Sequence, residues 1–187
     1  MIKLLDRFNE CAASRGYNQT RWKVDWKIVG TTMYFRQTAE PEDWVRNILA
    51  AIPFPARVGR RWLIVPLGAL LGWLEVKKIV RENPVELYIG YSQGGWYASY
   101  SSLEMGKKAN TFGCPGLMLG NSSAVDVFEN VVHYETPIDL VTRLPPWARK
   151  GKNVRILTRP ATRPDHIPEA RWALGHEPDE YRQRLTP

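Results

Sequence analysis

The sequence has few of the residues that build disulfide frameworks and metal centres. Its 187 residues include only two cysteines and three histidines. Cys11 and Cys114 lie far apart and lack the spacing of metal ligands, so we expect two reduced, half-buried thiols. This pattern argues against a disulfide scaffold and against a cysteine-ligated metal site.

The chain also lacks a long hydrophobic run. Residues 1–8 mix apolar and charged side chains, which is not the pattern of a secretory signal. The least polar stretch, 62–74, is too short to span a bilayer and is interrupted by Pro66, Gly68 and Gly72. We therefore expect a cytoplasmic protein without a membrane-spanning segment.

Repeats, low-complexity blocks and linkers are missing as well. A chain of this length without a linker is expected to form one domain, and it buries about 70% of its unfolded surface. The sequence therefore predicts a single domain over residues 1–187.

Positive charge is in excess, with a net charge of +7 and a pI of about 9.5. The basic residues are dispersed, and the densest groups, 57–61 and 143–159, are mixed with apolar residues and proline. No nucleic-acid-binding motif is present, so a nucleic-acid partner is not expected. We therefore interpret the excess charge as a solvated basic surface, which could also make transient contact with an anionic lipid surface.

Aromatic residues are abundant, with eight tryptophans and eight tyrosines. Such amphipathic rings fill small cores, and they also occur on surfaces that meet lipid or a partner. For the stretch 62–74 the two interpretations are a buried strand and helix, which the periodicity favours, and a membrane-touching surface.

The most informative stretch is 85–98. Residues 85–89 form an apolar, β-rich run, residues 90–94 read Gly-Tyr-Ser-Gln-Gly, and 96–105 lack helix breakers. A strand, a tight Gly-x-Ser-x-Gly turn and a helix are typical of the nucleophile elbow of α/β-hydrolases. The alternative is an ordinary turn between strand and helix with a surface serine at Ser92.

Strands and helices alternate through the middle of the chain, which predicts an α/β fold: a compact, α/β-hydrolase-like, three-layer structure with a mostly parallel central sheet. Besides the elbow, the predicted helices are 2–13 and 69–81, and the predicted strands are 23–29, 31–35, 62–65, 109–113, 130–134 and 154–158.

A further helix is predicted over 40–52. Pro41 suits its first turn, the apolar stripe from Trp44 to Leu49 has helical spacing, and Pro53 and Pro55 end it.

A serine nucleophile needs a base, and three histidines are available. His133 lies on a predicted strand, His166 follows Asp165 in a loop after the last predicted strand, and His176 precedes Glu177 in a charged tail. The residues alone leave this choice open.

The base in turn needs an orienting acid. Asp139 comes shortly after the apolar run that ends near Tyr134, where a loop leaves a strand, and Asp126 is the other candidate. The expected chain order in α/β-hydrolases is serine, acid, histidine.

Several of these segments together resemble a known family, the class 3, fungal-type lipases of the α/β-hydrolase superfamily. The segments, between residues 31 and 167, are Phe-Arg-Gln-Thr at 35–38, Asp-Trp at 43–44, the elbow, Asn-Thr-Phe-Gly at 110–113, Asp-Leu-Val-Thr-Arg-Leu-Pro-Pro at 139–146 and Asp-His at 165–166. The match at 139–146 is the most specific.

The resemblance implies a lipase or esterase that cleaves carboxylic esters through an acyl-enzyme, without a metal or cofactor. It implies Ser92 as nucleophile, Asp139 as acid and His166 as base, because the family histidine follows an aspartate late in the chain. Thr38 matches the oxyanion-hole residue, and Gln93 supplies the second backbone N–H.

The resemblance also places an amphipathic lid over 40–52, with Trp44 as its apolar anchor. The chain departs from the family pattern at Gln37, which replaces a glycine, at Tyr91 and Gln93, which replace histidine and leucine, and in its short length. These departures motivate the alternative of a catalytically inactive binding protein with the same fold.

Overall fold

The computed structural model describes residues 4–13, 16–36, 48–119, 127–165, 167, 169 and 175–186. Within these ranges, none of the helices combines the length and the apolar character needed to cross a bilayer.

The strands, in chain order, are β1 Asn18–Gln19, β2 Asp25–Val29, β3 Thr32–Arg36, β4 Pro53–Val58, β5 Arg61–Pro66, β6 Leu87–Tyr91, β7 Lys108–Phe112, β8 Met118–Leu119, β9 Val131–Glu135, β10 Ala148–Arg149 and β11 Val154–Ile156. Seven of them form one sheet in the order β1-β2-β3-β6-β7-β9-β11. Within this sheet the strands β3, β6, β7, β9 and β11 run parallel to one another, and β1 and β2 add an antiparallel edge. The predicted mostly parallel sheet is confirmed.

Helices cover both faces of this sheet. They are α1 Leu4–Ala12, α2 Leu67–Glu82, α3 Gly94–Met105 and α4 Pro178–Leu185, with a short 3₁₀ helix at Val141–Arg143. The larger core lies between one face and α2, α3 and the β4–β5 hairpin, and a smaller core lies between the other face and α1 and α4. This is the three-layer α/β arrangement that the alternation predicted.

Helix α3 lies inside the larger core, which explains its aromatic composition. Trp96 and Tyr100 are buried, and their polar atoms are satisfied by backbone carbonyls: Trp96 Nε1 donates to Gly116 O at 3.0 Å and Tyr100 OH donates to Leu117 O at 2.7 Å. Buried rings with bonded polar ends fix this helix rigidly. The turn before α3 is therefore held in place as well.

The chain between the predicted lid and α2 differs from the expectation. We predicted a single strand at 62–65, whereas β4 and β5 form an antiparallel hairpin closed at Gly59, which has φ of 60°. Ala56 and Val58 on β4 are buried and alternate with exposed neighbours, so pairing with β5 overrides the strand-breaking tendency of Pro53 and Pro55.

Both cysteines are free, as expected, but they are fully buried rather than half-buried. Burial raises the pKa of the Cys11 thiol and of the Cys114 thiol to about 12. Both side chains therefore stay protonated at neutral pH and act as small apolar groups.

Candidate active site

The turn at Ser92 has the strained geometry of a nucleophile elbow. Ser92 has φ of 56°, a left-handed backbone conformation that residues other than glycine seldom adopt. Hydrogen bonds from Ser92 N to Phe112 O and from Gly95 N to Ser92 O, both 2.9 Å, hold the strained turn against β7 and α3. Strain that is fixed in this way is typical of functional positions.

The glycines two residues before and after the serine are required by close backbone contact. A Cβ at Gly90 would lie 2.2 Å from Gly94 O, and a Cβ at Gly94 would lie 2.3 Å from Phe35 O. These atoms belong to the backbone and cannot move aside. The Gly-x-Ser-x-Gly spacing therefore reflects the crossing of β6, α3 and β3.

One histidine joins the serine to an acid. His176 Nε2 lies 2.8 Å from Ser92 Oγ, and His176 Nδ1 lies 2.8 Å from Asp139 Oδ2. Ser92 and Asp139 are 2% and 1% exposed, so both contacts are shielded from water. This is the geometry in which an imidazole can accept the serine proton while the carboxylate stabilises the resulting imidazolium.

The carboxylate of Asp139 is fixed on both of its oxygens. Oδ1 accepts the backbone N–H of Val141 at 2.9 Å and, more weakly, that of Thr142 at 3.4 Å, at the start of the 3₁₀ helix. Oδ2 accepts the hydroxyl of Tyr181 at 2.6 Å in addition to the His176 contact. The acid is therefore oriented so that one oxygen faces the imidazole.

Tyr181 reaches the acid from α4. Burial, and then the negative charge of Asp139, raise the pKa of the Tyr181 hydroxyl well above its usual value. The phenol remains protonated and donates to the carboxylate. We did not predict this contact, because nothing in the local sequence of the tail marks Tyr181.

The backbone that carries His176 is held by two side-chain donors. Thr136 Oγ1 donates to Gly175 O at 2.9 Å, and the Tyr91 hydroxyl donates to His176 O. The rings of Tyr91 and His176 are also stacked, with centroids 5.3 Å apart and an interplanar angle of 14°. Tyr91, which departs from the family pattern, is therefore part of the support of the imidazole.

The structure corrects the expected base. We expected His166 between Ser92 and Asp139, but the ring of His176 fills that position, and only one imidazole can bridge the two side chains. His166 itself lies outside the described residues. Among the candidates considered, the pair of hydrogen bonds selects His176, which the resemblance had passed over because it is not preceded by an aspartate.

Two further expectations concern segments that the structure does not describe. Thr38, the predicted oxyanion donor, lies outside the described residues, as do 40–47 of the predicted lid. Of that segment the structure describes 48–52, in which Trp147 Nε1 donates to Ala51 O at 2.9 Å. Gln93 follows Ser92 directly and caps α3, where backbone N–H groups and the helix dipole favour negative charge.

A cavity of about 360 Å³ opens beside Ser92. Ser92, Gln93 and His176 supply its polar lining, and its apolar lining consists of Ala50, Ala51, Trp96, Pro115, Val141, Leu144, Pro145 and Pro146. The described residues of this lining include no aspartate, glutamate, lysine or arginine. The cavity therefore suits an uncharged, apolar group next to the serine hydroxyl.

His133, another candidate base, lies in a different environment. It is 0% exposed, and its Nδ1 lies 2.6 Å from Thr111 Oγ1 on the neighbouring strand. Burial, and then the positive charge of Lys150, lower its pKa to about 3. The ring is therefore neutral in the folded protein and titrates only in the unfolded chain near neutral pH.

This difference predicts a pH-dependent stability. Because the unfolded chain binds a proton at His133 below pH 6.5 and the folded chain does not until about pH 3, stability is full above pH 6.5 and falls as the pH drops toward 3. From pH 7.5 to 5.0 the loss due to this group is about 2 kcal/mol. Urea unfolding at both pH values should show a smaller loss in His133→Phe than in the parent protein, and equal losses would contradict the assignment.

Comparison with known proteins places the fold. No protein-family model matches the sequence, and no curated protein matches it. Among solved structures, a fungal lipase bound to an inhibitor superposes with a TM-score of 0.53 at 18% identity, covering 71% of this chain and 60% of that chain. Triacylglyceride lipase from Rhizomucor miehei gives 0.53 at 18% identity, covering 75% and 64%.

A lipase from Rhizopus microsporus var. chinensis gives a TM-score of 0.51 at 15% identity, covering 70% of this chain and 55% of that chain. This chain therefore spans between 55% and 64% of the length of these three lipases. At this level of identity the comparison concerns the fold, and it confirms the predicted resemblance at that level. The chain has the α/β-hydrolase-like fold that these fungal lipases share.

Proposed function

We propose that the chain is a serine hydrolase that cleaves carboxylic esters, a lipase or an esterase. The observation that supports this most directly is His176, whose two ring nitrogens lie 2.8 Å from Ser92 Oγ and 2.8 Å from Asp139 Oδ2. The strained elbow and the fold of fungal lipases point to the same chemistry.

In the first half of the proposed reaction, His176 Nε2 takes the proton of Ser92 Oγ as the oxygen attacks the ester carbonyl carbon. Asp139 keeps the second proton of the ring on Nδ1 and stabilises the imidazolium. The tetrahedral intermediate collapses, His176 returns the proton to the leaving alcohol, and the acyl group remains on Ser92 as an ester.

In the second half, a water molecule takes the place of the alcohol. His176 removes its proton, the water oxygen attacks the acyl carbon, and Ser92 leaves with the proton that His176 returns. The backbone N–H of Gln93 and the residue at Thr38 are the proposed oxyanion donors. One such donor contributes about 3 kcal/mol to transition-state stabilisation in comparable sites.

The cavity lining suggests the class of substrate. Apolar side chains surround the serine, so the acyl part of the ester is expected to be an uncharged hydrocarbon chain, as in a lipid or a simple soluble ester. A moving lid over 40–52, a single domain over 1–187 and a cytoplasmic location remain predictions.

A fluorophosphonate probe tests the proposal. An activated serine attacks the phosphorus and becomes covalently labelled, so the wild-type chain should be labelled and peptide mapping should place the label on Ser92. Ser92→Ala should be unlabelled and should not hydrolyse p-nitrophenyl esters, while its thermal unfolding stays close to that of the wild type.

The alternative, a catalytically inactive binding protein with this fold, predicts the opposite result. A wild-type chain that is folded but resists labelling would support it. Hydrolysis that persists in Ser92→Ala would remove this serine from the mechanism.

A further inference from the structure

The β4–β5 hairpin presents an unusually apolar surface to solvent. Trp62 is 74% exposed, Ile64 is 39% exposed and Phe54 is 44% exposed. Trp62 and Ile64 lie opposite Arg57 and Pro55 in the hairpin register. We call Pro55, Arg57, Trp62 and Ile64 the hairpin face, whereas Phe54 lies on the other side of the strand with Ala56 and Val58. Exposed aromatic and aliphatic side chains that cluster in this way mark interaction surfaces.

Positive charge surrounds the hairpin face. Arg57 belongs to this face, Arg60 and Arg61 lie at the turn that ends it, and all three are exposed. The neighbouring carboxylate, Glu104, forms its ion pairs with Lys77 and Arg81. Guanidinium groups that are not neutralised by carboxylates can bind phosphate groups in bidentate fashion.

A basic groove lies next to the turn of the hairpin. It is lined by Arg57, Gly59, Arg60, Lys77, Arg81 and Glu104. Glu104 anchors the groove, since it accepts the Gly59 N–H at 2.8 Å and forms ion pairs with Lys77 and Arg81. The lining contains four cationic side chains and one carboxylate, so the groove carries a net positive charge.

The free edge of β4 is closed to pairing with another strand. Leu67 N donates to Ile52 O, so alternate residues from Ile52 onward direct their backbone groups toward β5, and Pro53, Pro55 and Arg57 direct theirs outward. The two prolines have no N–H at these outward positions. A partner that adds a strand at the β4 edge is therefore disfavoured.

The hairpin is continuous with the mouth of the active-site cavity. Ala50 and Ala51 line the cavity, Ile52 is 46% exposed, and β4 begins at the next residue. Leu144, which lines another part of the cavity, is also 54% exposed. The first residues of β4 therefore follow directly on the lining of the cavity that leads to Ser92.

We propose that the hairpin face docks on a bilayer surface rich in anionic phospholipid. Trp62 and Ile64 would enter the interfacial region, where amphipathic rings and aliphatic side chains are favoured, while Arg57, Arg60 and Arg61 bind lipid phosphates. The net charge of +7 complements such a surface. The purpose of docking, which is delivery of an ester to Ser92, rests on the proposed function, whereas the binding itself does not.

Vesicle cosedimentation of the full chain carrying Ser92→Ala tests the proposal without turnover. We expect binding to vesicles of phosphatidylcholine mixed with phosphatidylserine, little binding to phosphatidylcholine alone, and release as the salt concentration rises. Arg57→Gln, Arg60→Gln and Arg61→Gln together should lower the partition coefficient about 100-fold, since each basic residue near the membrane surface contributes about fivefold.

A second variant tests the apolar part of the surface. Trp62→Ser with Ile64→Ser should lower the partition coefficient by at least about tenfold and should abolish any blue shift of tryptophan emission on mixed vesicles. Both side chains are exposed, so the variant is expected to fold normally. A blue shift that is unchanged in this variant would overturn the placement of Trp62 in the interface.

The matched control removes the same charge elsewhere. Lys108, Lys152 and Arg155 are exposed and lie outside the hairpin face, so changing all three to Gln should leave binding within about twofold of the parent. An equal loss in the control would show that net charge, and not the hairpin, governs binding. Equal binding to both kinds of vesicle, or self-association in place of vesicle binding, would also overturn the proposal.

Activity on a soluble ester separates this proposal from the proposed function. When Ser92 is left intact, the hairpin variants should hydrolyse p-nitrophenyl butyrate at the wild-type rate, because none of the changed side chains lines the cavity beside the serine. Vesicle binding without any hydrolysis would leave the docking surface standing and reject the hydrolase. Hydrolysis without vesicle binding would support the hydrolase and reject the docking surface.

Discussion

Changing His176 to Asn is expected to lower kcat for p-nitrophenyl ester hydrolysis by roughly 10⁴- to 10⁶-fold. The imidazole is the group that lies within hydrogen-bond distance of both Ser92 and Asp139. An amide cannot accept and return the serine proton. Steady-state kinetics of the purified variant measure the effect, and urea unfolding checks that the fold is retained.

The matched control is His166→Asn, which changes the same residue type ten positions earlier. We expect its kcat to stay within about threefold of the wild type, because the position between Ser92 and Asp139 is occupied by His176. If His166→Asn abolished ester hydrolysis and His176→Asn did not, the assignment of the base would be reversed. A fluorophosphonate probe should label the His166 variant at the normal rate and the His176 variant far more slowly.

The second large effect is expected for Asp139→Asn, with a loss of kcat of about 10⁴-fold. The backbone N–H groups of Val141 and Thr142 donate to Oδ1, so the amide oxygen of the new side chain must occupy that position. The amide NH₂ then faces His176 Nδ1 and forces that nitrogen to accept. The ring proton moves to Nε2, where it faces Ser92, and the imidazole loses its capacity to act as a base.

Tyr181→Phe serves as the control for Asp139→Asn, because it removes a neighbour of the same carboxylate without altering the tautomer of the imidazole. The variant loses one hydrogen bond to a charged group, which lowers the free energy of unfolding by about 1.5–3 kcal/mol. Its kcat should fall far less than that of Asp139→Asn. A loss of activity in Tyr181→Phe as large as that in Asp139→Asn would show that the phenol, and not the tautomer, controls the rate.

The supporting residues around His176 show why the histidine that contacts Ser92 is hard to identify from sequence. The ring is held by stacking on Tyr91, by a hydroxyl that bonds its carbonyl, and by an acid 37 residues earlier. Each of these contacts joins segments that are distant along the chain. Tyr91 is visible in the elbow motif, but its effect on the tail depends on how the tail returns across the sheet.

The hairpin shows the same limit for secondary structure. Pro53 and Pro55 read locally as the end of a helix, and they do follow helical residues at 48–49. Yet the same prolines lie in a strand. Their backbone nitrogens face the open edge, where no hydrogen bond is needed, while the residues between them form hydrogen bonds to β5. Only the register of the hairpin makes proline acceptable there.

The sequence by itself determined the elements whose causes are local. The mostly parallel sheet follows from the alternation of strands and helices, and the elbow was recognised from Gly90, Ser92 and Gly94, because close backbone contacts on either side of the serine need glycine at 90 and 94. Asp139 was predicted because it follows a strand and begins the motif at 139–146, and the structure shows its carboxylate bound by the N–H of Val141.

The tertiary structure alone decided which histidine meets the serine and which side chains steady it. His166 and His176 lie in a segment with no periodic pattern, and its one local signal, Asp165 before His166, favoured the other histidine. The choice is made by long-range contacts, the burial of Tyr181 against Asp139 and the hydrogen bond from Thr136 to Gly175, which bring position 176 to the carboxyl edge of the sheet.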